Sequence, residues 1–142
     1  PNAVHISFDD GYAECFHVVR PLLLKFKIPC TFFLTTDLID NEILFYRNKQ
    51  SLCIDRLTQP DFDYDPSIFK NLHNQQFTAW QTLPEFISWL ENLRLPDEPL
   101  INEICRVLNV DWRSFLNEKQ PYLTSGQIQQ MYAQGFTIGA HT

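Results

Sequence analysis

An α/β fold built on parallel strands, interrupted by a long helical segment, is the class that this sequence predicts. Three observations carry that expectation. Apolar runs at Val4–Phe8 and Cys30–Leu34 flank a stretch with helical spacing, which is the pattern of a βαβ unit. A third run, Phe136–Gly139, follows a capped helix and repeats the same grammar. Between these ends, from about Asn41 to Tyr122, helical signals recur and strand patterns do not. The expected organisation is a first βαβ part over 1–41, a mainly helical insertion over 42–122, and a helix with the third strand over 123–142.

Val4 to Phe8 is β-branched and apolar, with His5 inside it as a core or neighbouring-face residue, and Asp10-Gly11 then supplies turn chemistry. From Tyr12 to Lys27 the residues Phe16, Val19, Leu23 and Phe26 mark one helical face. Pro21 interrupts it, so a kink or a helix restarting with proline in its first turn is predicted. Ile28-Pro29 ends that helix, and a parallel, right-handed crossover leads into the second strand. Ile43–Leu57 reads as helix, whereas 61–74 reads as irregular. Thr82 is placed to cap a helix with Pro84 in its first turn and Phe86, Leu90 and Leu93 facing inward. Leu100–Leu108 presents Ile101, Ile104 and Leu108 on one side, and Asp111 is placed to cap a short helix through Leu116. Thr124-Ser125-Gly126-Gln127 is a capping box, followed by a face of Ile128, Met131 and Tyr132 and by Gly135 as the C-terminal cap.

With 142 residues, 44% of them hydrophobic and 14% aromatic, the chain has the composition of a globular domain with a real core. Its formal charge of −6 argues against nucleic acid or an anionic membrane as the main partner, and no run is long enough to span a bilayer. Cys15, Cys30, Cys53 and Cys105 form no C-x-x-C pair and favour buried free thiols in a reducing, cytoplasmic compartment. The chain opens on Pro1, so a leader or initiator methionine is not in view, and both ends read as fragment boundaries.

Phe8-Asp9-Asp10-Gly11 leaves the first strand, and His141 comes after the third. In parallel α/β folds ligands gather at the carboxyl ends of strands, so these side chains are expected to meet. Adjacent aspartates repel each other unless a cation or proton offsets them. One can ligate a metal while its neighbour accepts a proton. His17 on its helix and His73 in a polar loop fit structural or solvated roles. Trp80, Trp89 and Trp112 suit a sugar platform, but more simply dock helices on the core. Asp61-Phe62-Asp63-Tyr64-Asp65 lacks the glycine and closing glutamate of a calcium loop and reads as a solvated acidic loop.

Ile6-Ser7-Phe8-Asp9-Asp10-Gly11, Ile28-Pro29-Cys30-Thr31-Phe32-Phe33-Leu34 and Gly135-Phe136-Thr137-Ile138-Gly139-Ala140-His141-Thr142 resemble, in order, the opening motifs of the polysaccharide deacetylases. These are the NodB-homology domains of carbohydrate esterase family 4. The resemblance covers the two ends of the chain, and the middle matches none of the family's motifs. It implies a partial distorted (β/α) barrel, a divalent metal (zinc first, cobalt or manganese as alternatives) and removal of N-acetyl or O-acetyl groups from a glycan. By the same resemblance Asp9 is the general base, and Asp10 and His141 are metal ligands. The family's second histidine, in H-T-x-x-H, would fall three residues beyond Thr142, and its later arginine and acid histidine have no counterpart here. The 142 residues alone are therefore expected to bind metal weakly or not at all and to be inactive.

Two other readings compete. A haloacid-dehalogenase-type phosphatase wants a second aspartate two positions after the first, where Gly11 stands. A non-catalytic carbohydrate-binding or interaction module on the same scaffold would need no complete metal site.

Overall fold

The computed structural model describes residues 3–69 and 80–141; residues 70–74 of the segment expected to be irregular, His73 among them, lie outside these. The chain forms two compact units, Pro1–Ile43 with Phe115–Thr142 and Leu44–Ser114.

The first unit carries the sheet. Its strands are β1 (Ser7–Phe8), β2 (Thr31–Leu34) and β3 (Thr137–Ala140), parallel and in the order β1-β2-β3. Ser7 stands beside Thr31 and Thr31 beside Thr137, so all three strands run in step. Three parallel strands make an α/β sheet; a barrel is not shown. β1 is shorter than Val4–Phe8 because only its last residues meet β2; Val4 is 89% exposed, and His5 is exposed ahead of the strand. β3 sits one residue later than expected, with Phe136 buried at its entry.

Pro21 accounts for the shape of the first crossover. It has no N–H for the carbonyl four residues back, and the preceding turn, Cys15–Val19, widens into a π-helix whose Cys15 carbonyl is bonded by Arg20 N–H. α1 (Arg20–Phe26) then restarts with Pro21 in its first turn and ends at Lys27 in the left-handed conformation. Leu23 is buried, but Phe26 is 62% exposed, contrary to the periodicity. The widened turn shifts the phase of the helix, and by Phe26 a spacing counted at 3.6 residues from Phe16 no longer faces inward. Ser125–Ala133 forms the helix before β3 and carries the expected capping box, Thr124 Oγ1 accepting from Gln127 N–H and Gln127 Oε1 from Thr124 N–H. Met131 is fully buried, whereas Tyr132 lies on the solvent side of that helix. Phe32, Leu34, Leu123, Met131 and Phe136 centre the core of this unit, with Cys15, Leu23 and Cys30.

The second unit is helical: α2 (Tyr46–Leu57), α3 (Leu83–Asn92) and α4 (Glu98–Val107), with the start of α5 (Trp112–Lys119). In chain order the helix Ser125–Ala133 is then α6. α2 begins at Tyr46, three residues later than the periodicity predicts. Thr82 and Glu85 form the box that starts α3, and Ser114 N–H donates to Asp111 Oδ1 at the start of α5. The predicted inward residues Phe86, Leu90, Leu93, Ile101, Ile104 and Leu108 are all buried. The buried Gln50 side chain donates to the Leu90 and Leu93 carbonyls at the end of α3. Trp80 and Trp89 meet with ring centroids 4.1 Å apart and planes tilted by 37°, and both pack on this core. In the acidic loop, Phe62 and Tyr64 pack on the core, while Asp61 pairs with Arg56 and Asp65 accepts from Ser67 N–H.

Candidate functional site

Asp9 and Asp10 come directly after β1 and His141 directly after β3, with the end of β2 between them. Two strand spacings separate the outer backbones by roughly 9–10 Å, a gap that side chains must cross. They do: His141 Nε2 lies 3.8 Å from Asp10 Oδ1 and 4.0 Å from Asp9 Oδ2. These separations exceed a hydrogen bond. All three side chains remain partly exposed, at 58% for Asp9, 40% for Asp10 and 35% for His141, so water reaches the cluster.

The backbone holds each residue in place. Asp10 (φ 68) and Gly11 (φ 82) are both left-handed, and Gly11 N–H donates to the Asp9 carbonyl, closing a tight turn over Asp10. Aspartate tolerates that region better than most residues. Gly11 suits that left-handed position, and a Cβ there would also crowd Leu34 Cδ2 at 3.1 Å. At the other strand, His141 N–H donates to the Leu34 carbonyl and so fastens the end of β3 to β2. Gly139 lets β3 approach, since a Cβ would meet the Phe33 ring at 2.9 Å. Gly139→Val is expected to destabilise the first unit by about 1–3 kcal/mol through overpacking, read as a lower urea midpoint with unchanged slope.

Asp40 and Asn41 escape detection from the sequence. Both are left-handed, at φ 64 and 59. Asn41 accepts from Tyr122 N–H and donates to the Tyr122 carbonyl, while Asp40 accepts from Ser125 N–H at the start of α6. The Ser125 bonds hold the Asp40 carboxyl below its usual range. The segment so anchored turns back to the aspartate loop: Leu123 N–H donates to the Gly11 carbonyl, Ala13 N–H to the Pro121 carbonyl, and Tyr12 pairs with Tyr122. The only signal in the sequence was an Asp-Asn pair after Leu38-Ile39, which is ordinary turn composition.

Two ligands of one zinc ion, each at about 2.0–2.2 Å, stand at most about 4.3 Å apart, and both Asp10 Oδ1 and Asp9 Oδ2 lie within that span of His141 Nε2. Among the described residues, no group of three or more His, Cys, Asp and Glu side chains could hold a metal. The donor chemistry fits a zinc-like ion, as an open pair and not a closed cage. Of the other histidines, His17 is exposed with Nε2 3.3 Å from Gln127 Nε2. Neither it nor His5 belongs to the cluster. No helix among the described residues is long and apolar enough to cross a membrane.

Comparison with family models matches residues 1–81 to polysaccharide deacetylase. That span contains Asp9 and Asp10 and stops before His141. No curated protein and no solved structure matches the chain.

Proposed function

The chain belongs to the polysaccharide deacetylase family, and from that premise we propose that it carries part of the centre of a metal-dependent hydrolase that removes N-acetyl, or O-acetyl, groups from a glycan. The observation behind this reading is the meeting of Asp9, Asp10 and His141 across the end of β2. Asp10 and His141 would hold the divalent ion, zinc first, with cobalt or manganese as alternatives. When bound, such an ion supplies Lewis acidity, polarising the acetyl carbonyl and acidifying water.

The remaining work falls to Asp9. Hydrolysis adds water oxygen to the acetyl carbon and breaks the C–N or C–O bond, which requires a base for the water proton. Asp9 Oδ2 takes that proton; its side chain is the most exposed of the three and open to both solvent and substrate. Both carboxylates face the same imidazole nitrogen, and the family motif assigns the first aspartate as base and the second as ligand. The four unpaired cysteines favour a reducing compartment for the protein.

Acetate release from an N-acetylated oligosaccharide by the naturally encoded protein, with and without a chelator, tests the assignment. Chelator-sensitive release supports it; release indifferent to the chelator, or none from any acetylated sugar, rejects it. Calorimetry on the 142 residues alone is expected to show weak zinc binding at most, diminished further by His141→Ala. Tight stoichiometric binding that survives His141→Ala would refute the ligand assignment.

A further inference from the structure

Cys53 on α2 and Cys105 on α4 lie 52 residues apart in sequence, yet their sulfurs are 3.3 Å apart inside the second unit. Both are buried, and the proposed hydrolase uses neither. A disulfide needs about 2.05 Å, so closing this gap takes little more than an ångström of sulfur movement.

Three further features single out Cys105. It forms part of the wall of a cavity of about 530 Å³ lined also by Asn102, Arg106, Asn109 and Trp112. Cys105 borders that cavity although only 1% of the residue is exposed. The buried Lys49 ammonium is held nearby, 2.6 Å from Glu98 Oε1, 2.9 Å from Asn102 Oδ1 and 4.2 Å from the Trp112 ring centre. The two sulfurs share a hydrogen bond in which either can donate; that contact, with Lys49, holds the Cys105 thiol below its usual range, while that of Cys53 is raised. Burial pushes Cys15 up to about 11, which keeps it protonated.

We infer that Cys53 and Cys105 form a peroxide-responsive dithiol whose oxidation staples α2 to α4. Cys105 sulfur attacks one oxygen of hydrogen peroxide; the O–O bond breaks, and hydroxide leaves and takes up a proton as water. Cys53 sulfur then attacks the resulting sulfenic sulfur, the S–O bond breaks, and the second hydroxide departs with the Cys53 proton. Two thiols and one peroxide give one disulfide and two waters. The near-complete burial of both sulfurs selects a small oxidant.

The test treats the full 142-residue chain, reduced and freed of reductant, with a few equivalents of hydrogen peroxide. Expected are an intact mass lower by two hydrogens, a peptide map joining Cys53 to Cys105, and Cys15 and Cys30 still alkylatable after denaturation. The thermal midpoint should rise by several degrees and return with a dithiol reductant. Pairing of Cys15 with Cys30, intermolecular bridges, or persistent Cys53 and Cys105 thiols at doses that oxidise an exposed thiol would overturn the inference. In Cys53→Ser, dimedone should label Cys105; label on another cysteine, with the helical circular dichroism intact, removes Cys105 as the attacking sulfur. Should that variant not fold, the wild-type peptide map decides alone.

Discussion

Asparagine in place of Asp9 is expected to lower deacetylation by the naturally encoded protein about 10²–10⁴-fold, with zinc affinity retained. Asparagine keeps the shape of the side chain and loses only its capacity to accept a proton from water, so the loss should fall on kcat and leave KM nearly unchanged. Asp10→Asn should behave differently, because the Asp10 carboxylate, 3.8 Å from His141 Nε2, is the proposed donor to the ion. It should weaken zinc binding first and activity as a consequence, with partial recovery at high zinc. Acetate release and competitive zinc titration on both variants separate the two roles. Loss of zinc in Asp9→Asn with activity restored by excess metal would exchange them.

Phe86→Ala is expected to cost about 3–5 kcal/mol of stability, the range for removing a buried aromatic ring. Phe86 is fully buried, stacks on Phe69 at 4.2 Å and meets Trp80 and Trp89 at 5.6 and 5.5 Å. Its loss opens a cavity between rings that are themselves held by one another, so the wall cannot collapse cheaply. Urea unfolding tracked by tryptophan fluorescence reads this directly, since Trp80 and Trp89 border the void. A shift below about 1 kcal/mol would mean that the aromatic cluster repacks around the gap.

The helices of the second unit were the most legible part of the chain. Phe86, Leu90, Ile101 and Ile104 recur at helical spacing, and Thr82 and Asp111 announce helix starts, because caps act over only a few residues. Phe26 and Tyr132 were misplaced for the opposite reason. Spacing tells which residues share a face, not which face the rest of the unit covers, and the π-turn before Pro21 alters the phase.

The candidate site divides in the same way. Asp9-Asp10-Gly11 after one apolar run and His141 after another were visible as strand-end chemistry, and the residues themselves dictate the left-handed turn at Gly11. Local sequence determined the elements, their caps and the types of donor, since each depends on neighbours along the chain. Only the tertiary structure decided that β2 lies between the two outer strands, that Asp40 and Asn41 tie Tyr122–Ser125 into place against the aspartate loop, and that Cys53 faces Cys105. Those relations join residues far apart along the chain, and they arise from strand pairing and core packing, forces with no short-range trace in the sequence.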